Sequence, residues 1–204
     1  MVVNDFNAAV DRLDAVKSDV NELNHANVKF AKVRKGSVIP SKRNEDMGLD
    51  IYACFDEDYI VIYPHETKLI PTGIASSCDE NYGFVLKERG STGSKGIALR
   101  CGVIDSGYRN EWFVGLTNTT RKTMFISKLS EADTLNKYYS EAKSKLFVKI
   151  KKFFARTMVY PYSKAIAQTL VVPVPKLNIQ EVSYEELKEI KSERGMGALG
   201  SSNK

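Results

Sequence analysis

Between residues 5 and 24 the apolar positions Phe6, Val10, Leu13, Val16, Val20 and Leu23 recur every three or four residues. That period keeps them on one face and predicts an amphipathic helix in the segment 1–27. From Val28 to Asn118 the period changes to short apolar or alternating runs separated by turn clusters. The runs cover 28–33, 49–53, 59–63, 67–71, 83–87, 97–100 and 112–117. Strands this short and this regularly spaced predict a mainly β fold, a sandwich, barrel or jelly roll. Within them, Gly102 to Arg109 predicts a tight hairpin. Val103 and Ile104 lead in, Ser106-Gly107 make the turn, and Trp112-Phe113-Val114 lead out. This stretch carries a carboxylate, Asp105, and an aromatic, Tyr108. Taken alone, an aspartate beside a turn is most often a solvated turn residue.

The helical period returns from Leu129 to Ala155. Ser130 and Asp133 form a capping pair, and Leu135, Tyr139, Ala142, Leu146, Ile150 and Phe153 follow at spacings of three and four. Lys143, Lys145, Lys149, Lys151 and Lys152 lie mostly off that stripe, which makes the segment a basic amphipathic helix set into a β pattern. Such a stripe covers its own domain more often than a partner's groove, and a protein partner at 129–155 stays open beside that reading. Further on, 168–174 predicts a strand ended by Pro173 and Pro175, and 184–190 predicts a short helix. The Gly/Ser-rich run Arg194 to Ser202 predicts a flexible arm. The expected organisation is a helix at 1–27, a β domain over 28–190 with the insertion 129–155, and an arm over 191–204.

Composition narrows the chemistry. The 204 residues, 43 % hydrophobic and 27 % charged, suit one soluble domain with appendages. No apolar run is long enough to span a membrane, and the first 27 residues hold no apolar block ahead of a small-residue cleavage site, so neither membrane insertion nor secretion is expected. Cys54, Cys78 and Cys101 are odd in number and widely spaced, which argues against a disulfide framework or a zinc site and fits the reducing cytoplasm. With only His25 and His65, histidine-based triads and metal sites are improbable. The net charge of +5 is concentrated. Residues 121–164 hold 11 Lys/Arg against 3 Asp/Glu, and the rest hold 19 against 22. A basic segment of this kind does not by itself imply a specific nucleic-acid site.

Five segments occur in a telling order: Asp46 to Ile51, Glu88 to Lys95, Gly102 to Arg109, Ala165 to Gln168, and the arm from Arg194 to Ser202. In this order and at these intervals they resemble the five motifs of the trimeric dUTP pyrophosphatase (dUTPase) family. The resemblance spans Val28 to Lys204 apart from the insertion, and it suggests a divergent bacterial or phage-type member. It implies a jelly-roll fold, a homotrimer with shared sites, and hydrolysis of dUTP to dUMP and pyrophosphate, which limits uracil in DNA and supplies dUMP for dTMP synthesis. Arg89 and Arg194 provide fork-shaped charge for phosphates, with Gly90, Ser91, Gly200 and Ser201 letting backbone donors approach. Asp50, and Gln168 with it, would hold Mg²⁺ through water, since this cation keeps several waters beside one or two carboxylates. Asp105 would be the general base on the attacking water. Tyr108 would pack under the deoxyribose and exclude a 2′-hydroxyl, while the backbone around Gly102 and Ile104 would bind the uracil edge. Leu199 would cover the base.

The chain departs from that family's pattern in four places. The second motif reads Arg89-Gly90-Ser91 where Arg-Ser-Gly is usual. Leu199 stands in place of an aromatic, with Ala198 in place of a glycine, and Ala165 replaces a basic residue, with Lys164 just before it. The 129–155 helix lengthens a link that is usually a short turn. Two other readings are distinguishable. A dCTP deaminase of the same fold would carry a catalytic glutamate at the position of Gly115, with Glu111 four residues too early to replace it. A regulator would act through the inserted helix by binding a protein.

Overall fold

The computed structural model describes residue 12, residues 26–141, residues 156–193 and residue 195. The helix expected at 5–24 lies outside the described residues except for Arg12, as do 142–155 of the insertion and Arg194, Leu199, Gly200 and Ser201 of the arm. The chain divides into two compact units, Met1–Val174 and Pro175–Lys204. The second begins ahead of the 191 boundary expected for the arm.

Twelve strands are described in the first unit. They are β1 (Val28–Lys32), β2 (Leu49–Ile51), β3 (Tyr59–Ile62), β4 (Thr67–Pro71), β5 (Ile74–Cys78), β6 (Tyr82–Lys87), β7 (Ile97–Arg100), β8 (Val103–Ile104), β9 (Phe113–Asn118), β10 (Thr123–Ser127), β11 (Thr157–Pro161) and β12 (Ala167–Pro173). They form four small sheets, ordered β1-β5, β11-β10-β3, β2-β12-β6-β8 and β4-β9-β7. A single helical turn, α1 (Gly90–Gly93), follows β6, and α2 (Glu131–Ser140) follows β10. The second unit contains α3 (Tyr184–Glu189), started by a reciprocal cap in which Glu186 N–H donates to Ser183 Oγ and Ser183 N–H to the Glu186 carboxylate.

The mainly β architecture matches the expected jelly-roll class. The inner faces bury Ile51, Ile62, Phe84, Trp112, Met124 and Ile126 among others, each at most 1 % exposed. Phe30 and Phe84 pack edge-on against Trp112 and tilted against each other, with ring centroids 4.9–5.9 Å apart.

Sequence pattern and structure part at four places. The run Ile74-Ala-Ser-Ser-Cys78 is too small and polar to read as a strand, yet β5 pairs with β1 along its full length. The β10 run is buried at all five positions and shows no alternation. β11 hides behind the basic segment and pairs with β10 in parallel, and the chain between Ser127 and Thr157 is longer than the dozen or so residues that a parallel connection needs. The fourth difference concerns Gly102 to Arg109, which is not a two-stranded hairpin. β8 pairs with β6, at Phe84↔Ile104 and Val85↔Val103, whereas β9 pairs with β4 and β7. The turn itself forms, closed by Tyr108 N–H to the Asp105 carbonyl at 3.1 Å, but it links two sheets.

The described part of the inserted helix begins as its cap predicts, with Asp133 N–H donating to Ser130 Oγ at 3.1 Å. Its face toward β10 carries Thr134, hydrogen-bonded to Ser127 at 2.7 Å, and Tyr138, whose ring meets Phe125 at 5.0 Å. Lys137 pairs with Asp58 on the same side. Leu135 and Tyr139, which head the expected stripe, are half-buried. These turns therefore dock on their own domain. No helix among the described residues is long and apolar enough to cross a membrane.

Candidate active site

β12 is the strand that organises the site. It lies between β2 and β6, so that Gln168 faces Asp50 on one side and Lys87 on the other. Its entry is fixed from below by Tyr160 on β11, a buried residue whose hydroxyl donates to the Ala165 carbonyl at 2.7 Å. Burial pushes the Tyr160 hydroxyl pKa upward, which keeps it protonated as a donor. The Gln168 amide nitrogen donates to the Glu88 carbonyl at 2.9 Å. The Glu88 carboxylate in turn accepts Leu99 N–H at 2.9 Å, a bond that holds its pKa below the ordinary value.

Arg89 begins the single turn α1. Thr92 closes it reciprocally, with Arg89 N–H donating to Thr92 Oγ1 at 3.1 Å and Thr92 Oγ1 donating to the Arg89 carbonyl at 3.0 Å. The guanidinium forks onto Asp50, with Nε 2.8 Å from Oδ1 and Nη2 3.1 Å from Oδ2. Both side chains are 31 % exposed, so solvent screens this pair. A Cβ at Gly48 would lie 2.7 Å from Gln168 Oε1, and one at Gly90 would meet open space.

These groups open into a cavity of about 710 Å³ lined by Asp50, Arg89, Gly90, Ser91 and Gln168 together with the 41–48 loop. The structure therefore brings together the expected residues of three motifs. The loop adds Ser41, Lys42 and Arg43, which the sequence reading passed over although only Asn44 and Glu45 separate the basic pair from the first motif. Arg43 is committed to Asp46, at 2.8 and 2.9 Å. The lining offers two carboxylates, Asp46 and Asp50, one amide oxygen and several cations, which suits a hydrated divalent ion on a polyphosphate. Among the described residues there is no cluster of three His, Cys, Asp or Glu.

Ile104 and Asp105 line a different hollow, of about 130 Å³, with Phe84, Val85 and Val172 in its wall. The two sets are held apart by β6 itself. Gln168 is opposite Lys87 while Ile104 is opposite Phe84, three residues away, or about 10 Å along the strand. Among the described residues none hydrogen-bonds or ion-pairs with the Asp105 carboxylate. The turn is held from outside by Arg109, which donates to the Ser106 carbonyl at 2.5 Å and the Ser76 carbonyl at 3.3 Å. Tyr108, 38 % exposed, donates its hydroxyl to the Glu111 carbonyl at 3.1 Å.

Gly102 is where β7 gives way to β8. Leu86 N–H donates to its carbonyl at 2.6 Å, and a Cβ there would lie 2.8 Å from the Leu86 carbonyl oxygen. The neighbouring Cys101 already takes φ +56°. Gly102→Ala must therefore shift backbone, and a loss of about 1–3 kcal/mol is expected in urea unfolding. A variant as stable as the parent would show that the segment has slack.

The position expected to carry a deaminase glutamate, Gly115, lies in the middle of β9 between Leu69 and Arg100, and a Cβ there would come within 3.0 Å of the Arg100 carbonyl. Glu111 is bound to Arg34 and to Gly73 N–H. Neither position offers a free carboxylate, so the deaminase reading gains nothing.

Comparison with known proteins agrees with this geometry. A family model described as dUTPase matches residues 34–130. The deoxyuridine 5′-triphosphate nucleotidohydrolase of Neisseria meningitidis serogroup A is 32 % identical over 179 residues, covering 85 % of this chain and 93 % of that protein. The protein of the same name from Nautilia profundicola is 29 % identical, covering 87 % and 99 %. Among solved structures, the Staphylococcus bacteriophage 80alpha dUTPase with dUpNHpp superposes with a TM-score of 0.61 at 20 % identity, covering 87 % of this chain and 99 % of that one. The dUTPase from phage phi11 of S. aureus, described for its species-specific insert, gives 0.55 at 18 % identity, covering 76 % and 96 %. At these identities the structures speak for the fold.

Proposed function

This chain belongs to the dUTPase family and is a dUTP diphosphatase, and we propose that it works as a Mg²⁺-dependent, cytoplasmic homotrimer with Asp105 as the general base. The observation that carries this reading is the convergence of Asp50, Arg89, Ser91 and Gln168 on one cavity of about 710 Å³. A triphosphate needs delocalised cations, hydrogen-bond donors and a hard-oxygen metal site in that combination.

Asp50 and Gln168 would hold Mg²⁺ through water, and the ion would neutralise phosphate charge and help orient the triphosphate. Arg89 would turn part of its fork from Asp50 to phosphate oxygens, and Ser91 with the backbone of Gly90 would donate beside it. Asp105 accepts the proton of a water as its oxygen bonds to the α-phosphorus. The bond from that phosphorus to the α,β-bridging oxygen breaks and pyrophosphate leaves with the electron pair. Most of the acceleration comes from positioning and charge neutralisation. The segment around Gly102 and Ile104 would receive the uracil edge, and Tyr108 the deoxyribose. Arg194, Leu199, Gly200 and Ser201 would close over a nucleotide bound to a neighbouring subunit. The trimer is supported by the separation of Asp105 from the Asp50–Arg89 cavity within one chain. A cytoplasmic location is supported by three free cysteines.

Pyrophosphate release measured on dUTP, dCTP, dTTP and UTP with and without Mg²⁺ tests the reading. Turnover of dUTP with Mg²⁺ should exceed that of every other nucleotide by at least on the order of tenfold, since a site built on hydrogen bonds rejects analogues that leave its groups unpaired. No release from dUTP, or ammonia release from dCTP, would overturn it.

A further inference from the structure

We propose that the Arg34–Glu111 ion pair is a positioning device for Tyr108 and so sets how well the site rejects a ribonucleotide; this rests on the reading of Tyr108 as the contact under the deoxyribose. Glu111 is two residues upstream of β9 and its side chain is 15 % exposed. Its carboxylate takes three hydrogen bonds, two from Arg34 Nε at 2.8 and 3.0 Å and one from Gly73 N–H at 2.9 Å. Its carbonyl takes a fourth, from the Tyr108 hydroxyl at 3.1 Å. One residue is thus fastened by its side chain to the core and by its backbone to the aromatic ring.

The other end of the device is rigid. Gly73 has φ +68°, and a Cβ there would lie 2.7 Å from Ser37 Cβ and 2.9 Å from Cys54 Sγ. Its carbonyl accepts Val33 N–H at 2.8 Å and Arg34 N–H at 3.4 Å, so Arg34 and Glu111 are tied to the same residue by backbone and by side chain. The next residue, Trp112, is fully buried and bonded across the same bend. Its N–H donates to the Ile74 carbonyl at 2.8 Å, and its carbonyl accepts Thr72 Oγ1 at 2.7 Å.

Tyr108 itself is 38 % exposed, and packing alone does not hold its ring. Its place is set by the turn bond to Asp105 and by the tether to Glu111. A 2′-hydroxyl is excluded only while the ring keeps that place, and a shift of a fraction of an ångström admits it. Neither Arg34 nor Glu111 lines the phosphate cavity, and neither bonds to Asp50 or Arg89. Its expected signature is therefore a change in sugar selectivity.

The test measures kcat/KM for dUTP and for UTP in Glu111→Gln, Arg34→Gln, Arg34→Lys, Tyr108→Phe and Tyr108→Ala, each checked by its unfolding curve. Arg34→Gln changes the more exposed partner, 42 % exposed, and provides a folded variant should Glu111→Gln be unstable. The dUTP/UTP ratio is expected to fall about fivefold in Glu111→Gln, Arg34→Gln and Tyr108→Phe, the effect of one hydrogen bond, with Arg34→Lys recovering part of it. Glu111→Gln combined with Tyr108→Phe should lose no more than either alone. An unchanged ratio in folded Arg34→Gln and Glu111→Gln overturns the proposal while a collapsed ratio in Tyr108→Ala keeps the reading of Tyr108. An unchanged ratio in Tyr108→Ala overturns both.

Discussion

Asp105→Asn is expected to lower kcat for dUTP by a factor on the order of 10²–10⁴ with a much smaller change in KM. The substitution keeps the size of the side chain and removes its negative charge, and with it the ability to take a proton. The turn is closed by a backbone bond, Tyr108 N–H to the Asp105 carbonyl, which the amide preserves. None of the described residues hydrogen-bonds or ion-pairs with the Asp105 carboxylate, so no such bond among them is lost. Stability should stay within about 0.5 kcal/mol of the parent, as for an exposed substitution. The measurement is steady-state pyrophosphate release beside a thermal unfolding curve. A folded variant that keeps a third or more of parental kcat would remove Asp105 from the role of base and return it to that of a turn residue.

The grouping of Asp50, Arg89, Gly90, Ser91 and Gln168 around one cavity was legible in the sequence because each stands in a local pattern that decides its own conformation. Arg89-Gly90-Ser91-Thr92 folds on itself, and Thr92 closes the turn that presents Arg89. Asp50 and Gln168 stand in runs that read as strands and pair opposite each other. The partners of β8 and β9 could not be read that way. An apolar run, a turn and another apolar run look like a hairpin from inside the segment, but each run found its ladder elsewhere, β8 with β6 and β9 between β4 and β7. β5 was missed because Ala-Ser-Ser carries no strand preference of its own, and its pairing with β1 decides its conformation. Tyr160 and Glu111 were invisible as site residues for a related reason. Each acts through one bond, to the Ala165 carbonyl and to the Tyr108 hydroxyl respectively, and only the fold sets those atoms at hydrogen-bond distance.

The separation between the two halves of the site leads to the second large effect. Asp50, Arg89 and Gln168 share one cavity, while Asp105 and Ile104 line another about 10 Å along β6. In the proposed trimer, a neighbouring copy brings its Asp105 to the nucleotide whose phosphates lie at Arg89. Arg89→Ala should by itself be inactive, because the phosphate loses its guanidinium and Asp50 loses its partner. Its fold should survive, since an ion pair with both members 31 % exposed contributes at most about 1 kcal/mol. Asp105→Asn should also be inactive alone. Mixed subunits of the two variants, assembled by joint refolding or joint expression, should regain activity. With equal numbers and random assembly, a site takes Asp105 from the Arg89 variant half the time and Arg89 from the Asp105 variant half the time. About a quarter of sites are then intact in a closed symmetric ring. Recovery to roughly that level, from two preparations with almost no activity of their own, is the expected result. Activity that stays at the sum of the two residual rates would mean that both halves of a site belong to one chain, and that β6 or the Asp105 turn must move to bring them together.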